Sequence, residues 1–250
     1  MLKKIRLFWR PTSIIFMTTI ILFGFQNCGN DMAFTDAETL SELGFNEDDV
    51  LCNPLDPSAQ CDLNSKAGLV GSLYYLSANQ ASIFNGNLNN ALLEDYIVYG
   101  TRVNKLILMS EVNAPTQNWD QGFAQADGSF VKDLNGNTLH EWFSLDLDGY
   151  ISLPAGEYQF AMLADDGMKV SFNDKIIMID DGTHSPRYKC SAKIAFGSGE
   201  KKKIDIQYFQ GPRTQIAMVF MMRPASAMTN SCDGNGGWQV VGPSAFSYAY

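Results

Sequence analysis

The 250-residue sequence has few of the residues on which common catalytic sites depend. It contains only two histidines, and neither His140 nor His184 lies in a Gly-x-Ser-x-Gly or His-Glu-x-x-His motif, the patterns typical of serine hydrolases and zinc proteases. The five cysteines include no Cys-x-x-Cys pair, so a cysteine-based zinc site is not expected. No apolar run reaches the roughly 20 residues that span a bilayer as a helix. We therefore expect a protein that is not an enzyme.

A short apolar run near the amino terminus follows a basic start. The run covers residues 13–25, and its length makes a membrane-spanning helix the weaker alternative. A basic stretch, an apolar core and a cleavage site, in that order, are typical of secretory signal peptides. The basic residues are Lys3, Lys4, Arg6 and Arg10. We therefore predict a signal peptide over residues 1–27 and export from the cytoplasm.

Cys28 stands directly after this predicted signal peptide. A cysteine in this place resembles the bacterial lipoprotein processing site, where it is acylated and becomes the first mature residue. Gln26 and Asn27 depart from the small residues usual before that cysteine, and ordinary cleavage that leaves an incidental thiol is the alternative. Gly29 rather than aspartate follows, which by the same resemblance favours sorting to the outer membrane. We predict lipidation at Cys28 and membrane attachment through that anchor.

The remaining four cysteines form an even set, as expected for disulfides in an oxidising compartment. They are Cys52, Cys61, Cys190 and Cys232. Three pairings are possible, and the sequence alone does not choose among them. We favour Cys52–Cys61, which would stiffen a proline-rich loop, together with Cys190–Cys232, which would tie the end of the chain to its body.

The charge of the exported chain is strongly negative. The predicted signal peptide holds four of the 18 basic residues and none of the 27 acidic residues, so its removal leaves a net charge of about −13. An acidic surface repels nucleic acid and anionic lipid and attracts divalent cations. We therefore expect no nucleic-acid partner.

The chain after the signal peptide divides into three parts by composition. Residues 28–65 are acidic and lack apolar periodicity, so we predict a flexible tether. Over residues 66–224, short runs rich in Val, Ile, Phe and Tyr recur between turn residues, which predicts an all-β antiparallel sandwich or barrel. Leu88–Tyr99 is the only stretch with a longer helical pattern, and Thr35–Leu43 could form a short capped helix. Residues 225–250 are predicted to form a carboxy-terminal extension packed on the domain.

Several motifs of this central region occur in the order found in one known family. They are Gly68-Leu-Val-Gly-Ser-Leu-Tyr-Tyr75, Gly149–Phe160, Ala164-Asp-Asp-Gly-Met-Lys-Val170, Phe172–Ile177 and Gly199–Phe209. Together they resemble the protective-antigen-type (PA14-like) β-sandwich domain, which is shared by a bacterial toxin component, fungal flocculins and related adhesins, and some glycosidases. The resemblance covers about residues 68–223.

The resemblance implies a calcium site at Asp165 and Asp166. The sugar-binding members of the family hold Ca²⁺ with two adjacent aspartates joined by a cis peptide, and the ion coordinates sugar hydroxyls. Ca²⁺ takes six to eight oxygen ligands, and two carboxylates in one tight turn supply an anionic core. Gly167 would release the backbone after the pair. The alternative is that Asp-Asp-Gly is a plain turn without a metal.

In those relatives a later loop adds an asparagine side chain and backbone carbonyls to the ion. Two loops are candidates here: Asp233-Gly-Asn235-Gly-Gly-Trp238 and Asp180–His184. We predict Asn235 as a further metal ligand. The predicted ligand-binding surface comprises Asp165, Asp166, Gly167, Asp233, Trp238 and His184, with Trp238 stacking on a sugar ring. A Cys190–Cys232 bridge would bring the two loops together. Each loop also fits an ordinary Gly/Asp turn.

These expectations combine into one functional hypothesis and two alternatives. The first is a cell-envelope lipoprotein for adhesion or glycan recognition, with Ca²⁺-dependent carbohydrate binding. The second is a non-catalytic module for protein–protein contact or envelope scaffolding, in which the aspartates only close a turn. The third, glycan hydrolysis, has least support, because family members with activity usually carry it on a separate catalytic domain.

Overall fold

A computed structural model describes residues 39–55, 61–121 and 131–248 of the chain. The predicted signal peptide, Cys28 and the first part of the predicted tether lie outside these residues. Within the described parts, no helix is both long enough and apolar enough to cross a membrane.

The described residues form thirteen strands and one short α-helix, joined by turns and short 3₁₀ helices, of which the longest is Ala78–Phe84. The elements are β1 (Val50–Cys52), β2 (Leu69–Tyr75), α1 (Leu93–Tyr99), β3 (Thr101–Met109), β4 (Asn113–Asn118), β5 (Phe143–Ser152), β6 (Gly156–Asp165), β7 (Met168–Phe172), β8 (Lys175–Asp180), β9 (Arg187–Phe196), β10 (Lys201–Gln210), β11 (Gln215–Pro224), β12 (Gln239–Val240) and β13 (Phe246–Ser247). The prediction of an all-β chain is confirmed. The helical pattern at Leu88–Tyr99 yields a 3₁₀ turn at Leu88–Asn90, followed by α1.

The strands form two sheets. The larger has the order β1-β3-β2-β5-β10-β7-β8, with β13 also paired to β5, and the smaller has the order β12-β11-β6-β9, with β4 also paired to β11. All pairs are antiparallel except β1 with β3. The chain changes sheets between β6 and β7, so the turn joining these strands lies at one end of the sandwich.

Apolar side chains from both sheets meet in one core, because alternate residues of each strand point inward. On β10, Ile204, Ile206 and Tyr208 are fully buried. Phe160 on β6 stacks on Phe220 of β11, with ring centroids 5.4 Å apart and planes 5° from parallel. Such aromatic pairs add to the burial of apolar area that stabilises the sandwich.

The prediction of a flexible tether up to residue 65 needs correction. Leu40 is fully buried, and its backbone N–H donates to the hydroxyl of Tyr248 (3.0 Å). Residues of β1 pair with β3, and Leu51 is only 3% exposed within the main core. The sequence did not predict this folded segment, because the segment is acidic and its few apolar residues show no helix or strand periodicity. Residues 39–55 therefore form part of the domain.

Both predicted disulfides are present. Cys52 bonds to Cys61, and Cys190 on β9 bonds to Cys232. Disulfides persist in oxidising compartments, so the chain has the covalent features of an extracytoplasmic protein. The carboxy-terminal residues pack on the domain through two strands, since β12 pairs with β11 and β13 pairs with β5.

Candidate functional site: the aspartate pair between the two sheets

Asp165 and Asp166 lie at the turn where the chain passes from the smaller sheet to the larger one. Asp165 is the last residue of β6 and pairs with Ala217 of β11. Met168 begins β7 two residues after Asp166. The peptide bond between the two aspartates is cis, the arrangement that the family resemblance implies. Both side chains are buried, with exposed fractions of 1% and 2%.

The carboxylate of Asp166 is held by two backbone amides. The N–H of His184 donates to Oδ1 (2.8 Å), and the N–H of Gly211 donates to Oδ2 (2.6 Å). Burial raises the pKa of Asp166, and these two hydrogen bonds partly oppose that rise. Each oxygen keeps a second lone pair. Asp166 is therefore oriented by its neighbours and still has capacity to accept.

The carboxylate of Asp165 lacks such support. Neither of its oxygens has a hydrogen-bond partner among the described residues, although its backbone carbonyl accepts a hydrogen bond from the Tyr208 hydroxyl. Burial, and then the neighbouring charge of Asp166, raise the pKa of Asp165 to about 7. A buried carboxylate without donors is costly unless a proton or a cation compensates it. This side chain is the clearest unsatisfied polar group of the turn.

Gly167 serves packing rather than the backbone release that the sequence suggested. Its φ is not among the positive values of the chain. A Cβ at this position would lie 2.2 Å from the ring of Phe209. The Phe209 ring in turn stacks on Tyr96 of α1, with centroids 5.1 Å apart. Glycine is required here because an aromatic ring occupies the space of a side chain.

The loop between β8 and β9 contacts the pair through its backbone. The ring of His184 does not reach Asp166: its Nδ1 lies 3.0 Å from the carbonyl oxygen of Ser185, and its Nε2 lies 3.5 Å from Asp180 Oδ2. Arg187 donates two hydrogen bonds to Asp180, both at 2.6 Å. Of the residues predicted at the ligand surface, the structure thus brings His184 to the pair, by its amide and not its imidazole.

The loop with Asp233, Asn235 and Trp238 makes its contacts elsewhere. It closes over Arg223, whose Nη1 donates to the carbonyl of Gly236 (2.7 Å) and whose guanidinium lies 4.0 Å from the centroid of the Trp238 ring. Arg223 pairs with Gln159, six residues along β6 from Asp165, which corresponds to about 20 Å along a strand. Among the described residues, no hydrogen bond joins Asp233, Asn235 or Trp238 to the aspartate pair. A Cβ on Gly234 of the same loop would lie 2.9 Å from the hydroxyl of Tyr188 on β9.

The glycines of this loop have a packing explanation. A Cβ on Gly236 would lie 2.1 Å from Arg223 Nη1. The side chain of Arg223 is completely buried and also donates from Nε and Nη2 to Gln159 Oε1, at 2.9 and 2.7 Å. Trp238 Nε1 donates to the carbonyl of Asp233 (2.8 Å), which fixes the loop on itself. The loop is thus a cover over a buried arginine.

Sequence reasoning missed the loop between β10 and β11. Gly211 supplies one of the two amides on Asp166, and a Cβ there would lie 2.8 Å from Asp166 Oδ2. The available signal was a glycine two residues after Phe209, the last residue of the Gly199–Phe209 motif. Gln210 itself is turned to other partners: it accepts from the Tyr208 hydroxyl (2.8 Å) and donates to the carbonyl of Gln215 (3.0 Å).

The chemistry of the turn fits a hard cation. Among the described residues, no group of three or more His, Cys, Asp or Glu side chains is placed to hold a metal, so the pair would be the only carboxylates. Both oxygens of Asp165 are buried without a donor, and Asp166 keeps free lone pairs. Ca²⁺ accepts carboxylates, backbone carbonyls and water together. Asp165 and Asp166 would therefore hold the ion, with carbonyl and water oxygens completing its shell.

Comparisons with known proteins agree with this architecture. Residues 137–233 match the sequence model of the PA14 domain. The PA14 domain of the antifreeze protein MpAFP aligns with a TM-score of 0.50 at 18% identity, covering 76% of this chain and 97% of that one. The PA14 sugar-binding domain from an RTX adhesin aligns with a TM-score of 0.51 at 15% identity, covering 74% of this chain and all (100%) of that one. A search of curated proteins found no match.

Two packed sheets with a buried Asp-Asp-Gly turn at one end define the chain as a β-sandwich domain protein. The matched residues run from the segment before β5 to the loop after β11, and so contain both strands that flank the turn. Its fold is similar to that of PA14 domains, as the sequence motifs predicted.

Proposed function

We propose that this domain binds carbohydrate through Ca²⁺ held by Asp165 and Asp166. The observation that carries the proposal is the buried Asp165 carboxylate, which has no hydrogen-bond donor among the described residues and lies next to a second carboxylate. Bound Ca²⁺ would compensate both charges and offer coordination positions to vicinal hydroxyls. A domain named as sugar-binding shares the fold. The domain acts as a binding module rather than as an enzyme.

The protein's own residues divide the work of this site. Asp166 is oriented by the amides of His184 and Gly211, as ligating carboxylates are usually supported by outer hydrogen bonds. Both carboxylate oxygens of Asp165 lack hydrogen-bond donors among the described residues and would bind the cation. Tyr208 holds the backbone of Asp165 from inside the core, by donating to its carbonyl. The pair is therefore built on the ends of buried strands, which limits its movement.

Calcium titration by calorimetry tests the metal part of the proposal. The purified protein should bind one Ca²⁺, and Asp165→Asn and Asp166→Asn should each weaken binding at least 100-fold. Asp233→Asn is the matched control, because its Oδ1 accepts the amide of Asn235 in a loop that contacts Arg223, and an asparagine oxygen can do the same. Unchanged affinity in both Asp165→Asn and Asp166→Asn would exclude the pair as the metal site.

A glycan array tests the carbohydrate part. Binding to at least one glycan should be lost on addition of a calcium chelator, restored by Ca²⁺, and absent from Asp166→Asn. The two amide donors on Asp166 would also satisfy its carboxylate in a turn that binds no metal, and this is the alternative that the array tests. Glycan binding that ignores the chelator, or a captured protein partner in place of any glycan, would favour the scaffolding alternative.

We also propose that the domain is exported and anchored at the cell envelope, in the outer membrane, through acylated Cys28. The support is the order of basic residues, apolar run and cysteine at the amino terminus, together with two disulfides in the folded part. Mass spectrometry of the protein isolated from membranes should show a lipid-modified amino-terminal cysteine. Cys28→Ser should release the protein from the membrane fraction.

A further inference from the structure

The segment between β2 and β3 lies against the aspartate turn. It contains α1, whose Tyr96 ring is fully buried and stacks on Phe209. Phe209 covers Gly167 directly. Burial, and then the charge of Asp166, raise the pKa of Tyr96, which agrees with a position close to the pair. One side of α1 is therefore fixed to the residue that follows the aspartates.

A second contact joins the start of α1 to the loop between β8 and β9. Asp181 Oδ1 accepts the backbone N–H of Leu93 (3.1 Å) and that of Gly182 (2.8 Å). His184 follows in the same loop, and its amide donates to Asp166 Oδ1. A continuous path of hydrogen bonds and backbone thus runs from α1 through Asp181 and His184 to Asp166.

The position of the His184 amide depends on this short loop. The loop includes Gly182, whose φ is +83°, and a residue without a Cβ leaves its backbone less restrained than others do. Thr183 is exposed. The Nδ1 atom of His184 lies 3.0 Å from the carbonyl oxygen of Ser185, and its Nε2 atom has no hydrogen-bond partner among the described residues. The methyl group of Thr183 lies close to Gly211. Among the described side chains of this loop, that of Asp181 is the one that hydrogen-bonds to another element. Its loss would leave the His184 amide less firmly directed at Asp166.

We propose that Asp181 is a positioning residue for the cation site: it fixes the loop that orients Asp166, and it raises calcium affinity without binding the ion. This inference rests on the proposed function, because it concerns the same pair of aspartates. Removal of a group that hydrogen-bonds directly to a metal ligand typically changes metal affinity by about 10- to 100-fold. Here that group is the His184 amide, and Asp181 acts through it, so we expect the lower end of this range. The oxygen of Asp181 carries the effect through two amide hydrogen bonds, and its charge does not.

Two substitutions separate the oxygen from the charge. Asp181→Asn keeps an acceptor oxygen for the amides of Leu93 and Gly182, whereas Asp181→Ala removes it. Calcium titration of the full protein should show affinity about 10-fold weaker or more in Asp181→Ala, and affinity close to wild type in Asp181→Asn. Glu94→Ala is the charge control, since Glu94 is exposed on the first turn of α1, and it should bind Ca²⁺ like wild type. Equal weakening in Asp181→Asn and Asp181→Ala, or in Glu94→Ala, would overturn the proposal.

Hydrogen–deuterium exchange provides a readout that does not require calcium. In metal-free protein, Asp181→Ala should speed exchange of the amides in peptides covering residues 182–185, while peptides from β10 remain unchanged. Asp181→Asn should restore the protection. If wild type binds no Ca²⁺, the proposed function fails, but exchange still reports whether Asp181 holds the loop. Unchanged exchange at residues 182–185 in Asp181→Ala would refute the positioning role.

Discussion

The two ends of the β6–β11 pair both carry a segment with Gly and Asp, but one end buries two acidic side chains and the other buries a basic one. At one end, the Asp-Asp-Gly turn buries two acids, and Asp165 has no hydrogen-bond donor among the described residues. At the other, a Gly-rich loop covers Arg223, whose Nε, Nη1 and Nη2 atoms all donate to oxygens of the chain. Buried polar groups are normally satisfied within a protein. The satisfied end is therefore structural, and the unsatisfied end is the candidate for a ligand.

The largest destabilising effect is expected from removing the satisfied group. Arg223→Ala leaves Gln159 Oε1 and the Gly236 carbonyl without their donor, opens a cavity, and removes the partner of the Trp238 ring. We expect the free energy of unfolding to fall by about 3 kcal/mol, with calcium affinity unchanged in the folded fraction. Urea denaturation followed by tryptophan fluorescence measures the first quantity, and calorimetry the second.

Arg213→Ala is the control for the loss of a positive charge. Arg213 is exposed and pairs with Glu141 at 2.9 Å, so its removal should cost less than about 1 kcal/mol. An equal loss of stability in the two variants would show that Arg223 contributes through net charge and not through its buried contacts. A loss of calcium binding in Arg223→Ala would show that the two ends are energetically coupled, and the Arg223 end could then no longer be described as purely structural.

The next substitution is expected to raise the free energy of unfolding rather than lower it. The pKa of Asp165 in the folded chain is about 7, against about 4 for an unfolded aspartate. Between these values the folded chain holds a proton that the unfolded chain has lost, so metal-free protein loses stability as pH rises from 4 to 7. Asp165→Asn removes this loss. At pH 8 with chelator it should be more stable than wild type by up to about 4 kcal/mol, because each of the roughly three pKa units corresponds to about 1.4 kcal/mol, and at pH 4 the difference should be small.

Urea midpoints of both proteins at pH 4, 6 and 8 measure this prediction. Burial, followed by the charges of Asp146 and Asp148, also raises the pKa of Asp205 to about 7, but Asp205 is present in both proteins and cancels in the difference. Added Ca²⁺ should reverse the order at pH 8, because it binds the folded wild type. An Asp165→Asn protein that is less stable than metal-free wild type at pH 8 would contradict the description of Asp165 as an uncompensated buried charge.

Much of the fold could be predicted from the sequence, because the period-two pattern of strands such as β10 is local. The pairing of β1 with β3 could not, since Val50 and Leu51 stand in an acidic segment and find their partners more than fifty residues later. For the site, the adjacent aspartates were visible as a motif. Their donors were not, because the amides of His184 and Gly211 are backbone groups that any residue type supplies.

The role of the second Gly/Asp loop was also beyond local reasoning. Asp233-Gly-Asn-Gly-Gly-Trp has the composition of a ligand loop, but its position follows from the Cys190–Cys232 bond and from the register that puts Arg223 opposite Gln159. The glycine at position 236 is explained only by the guanidinium beside it. Amino-acid composition therefore does not distinguish a ligand-binding loop from a loop that packs over a buried arginine. The hydrogen-bond partners of the polar atoms do distinguish them.

The smallest effect tests whether Trp238 belongs to the structural end or to the ligand. Trp238→Phe keeps an aromatic ring over Arg223 and removes the hydrogen bond from Nε1 to the carbonyl of Asp233 (2.8 Å). We expect a loss of about 1 kcal/mol in the free energy of unfolding and no change in glycan or calcium binding. Trp238→Leu also removes the cation–π contact and should cost about 1 kcal/mol more, again without affecting binding. Urea denaturation and the glycan array measure both variants. If either variant lost chelator-sensitive glycan binding while its urea midpoint stayed close to that of wild type, Trp238 would stack on the sugar as the sequence predicted, and the ligand surface would extend to both ends of β11.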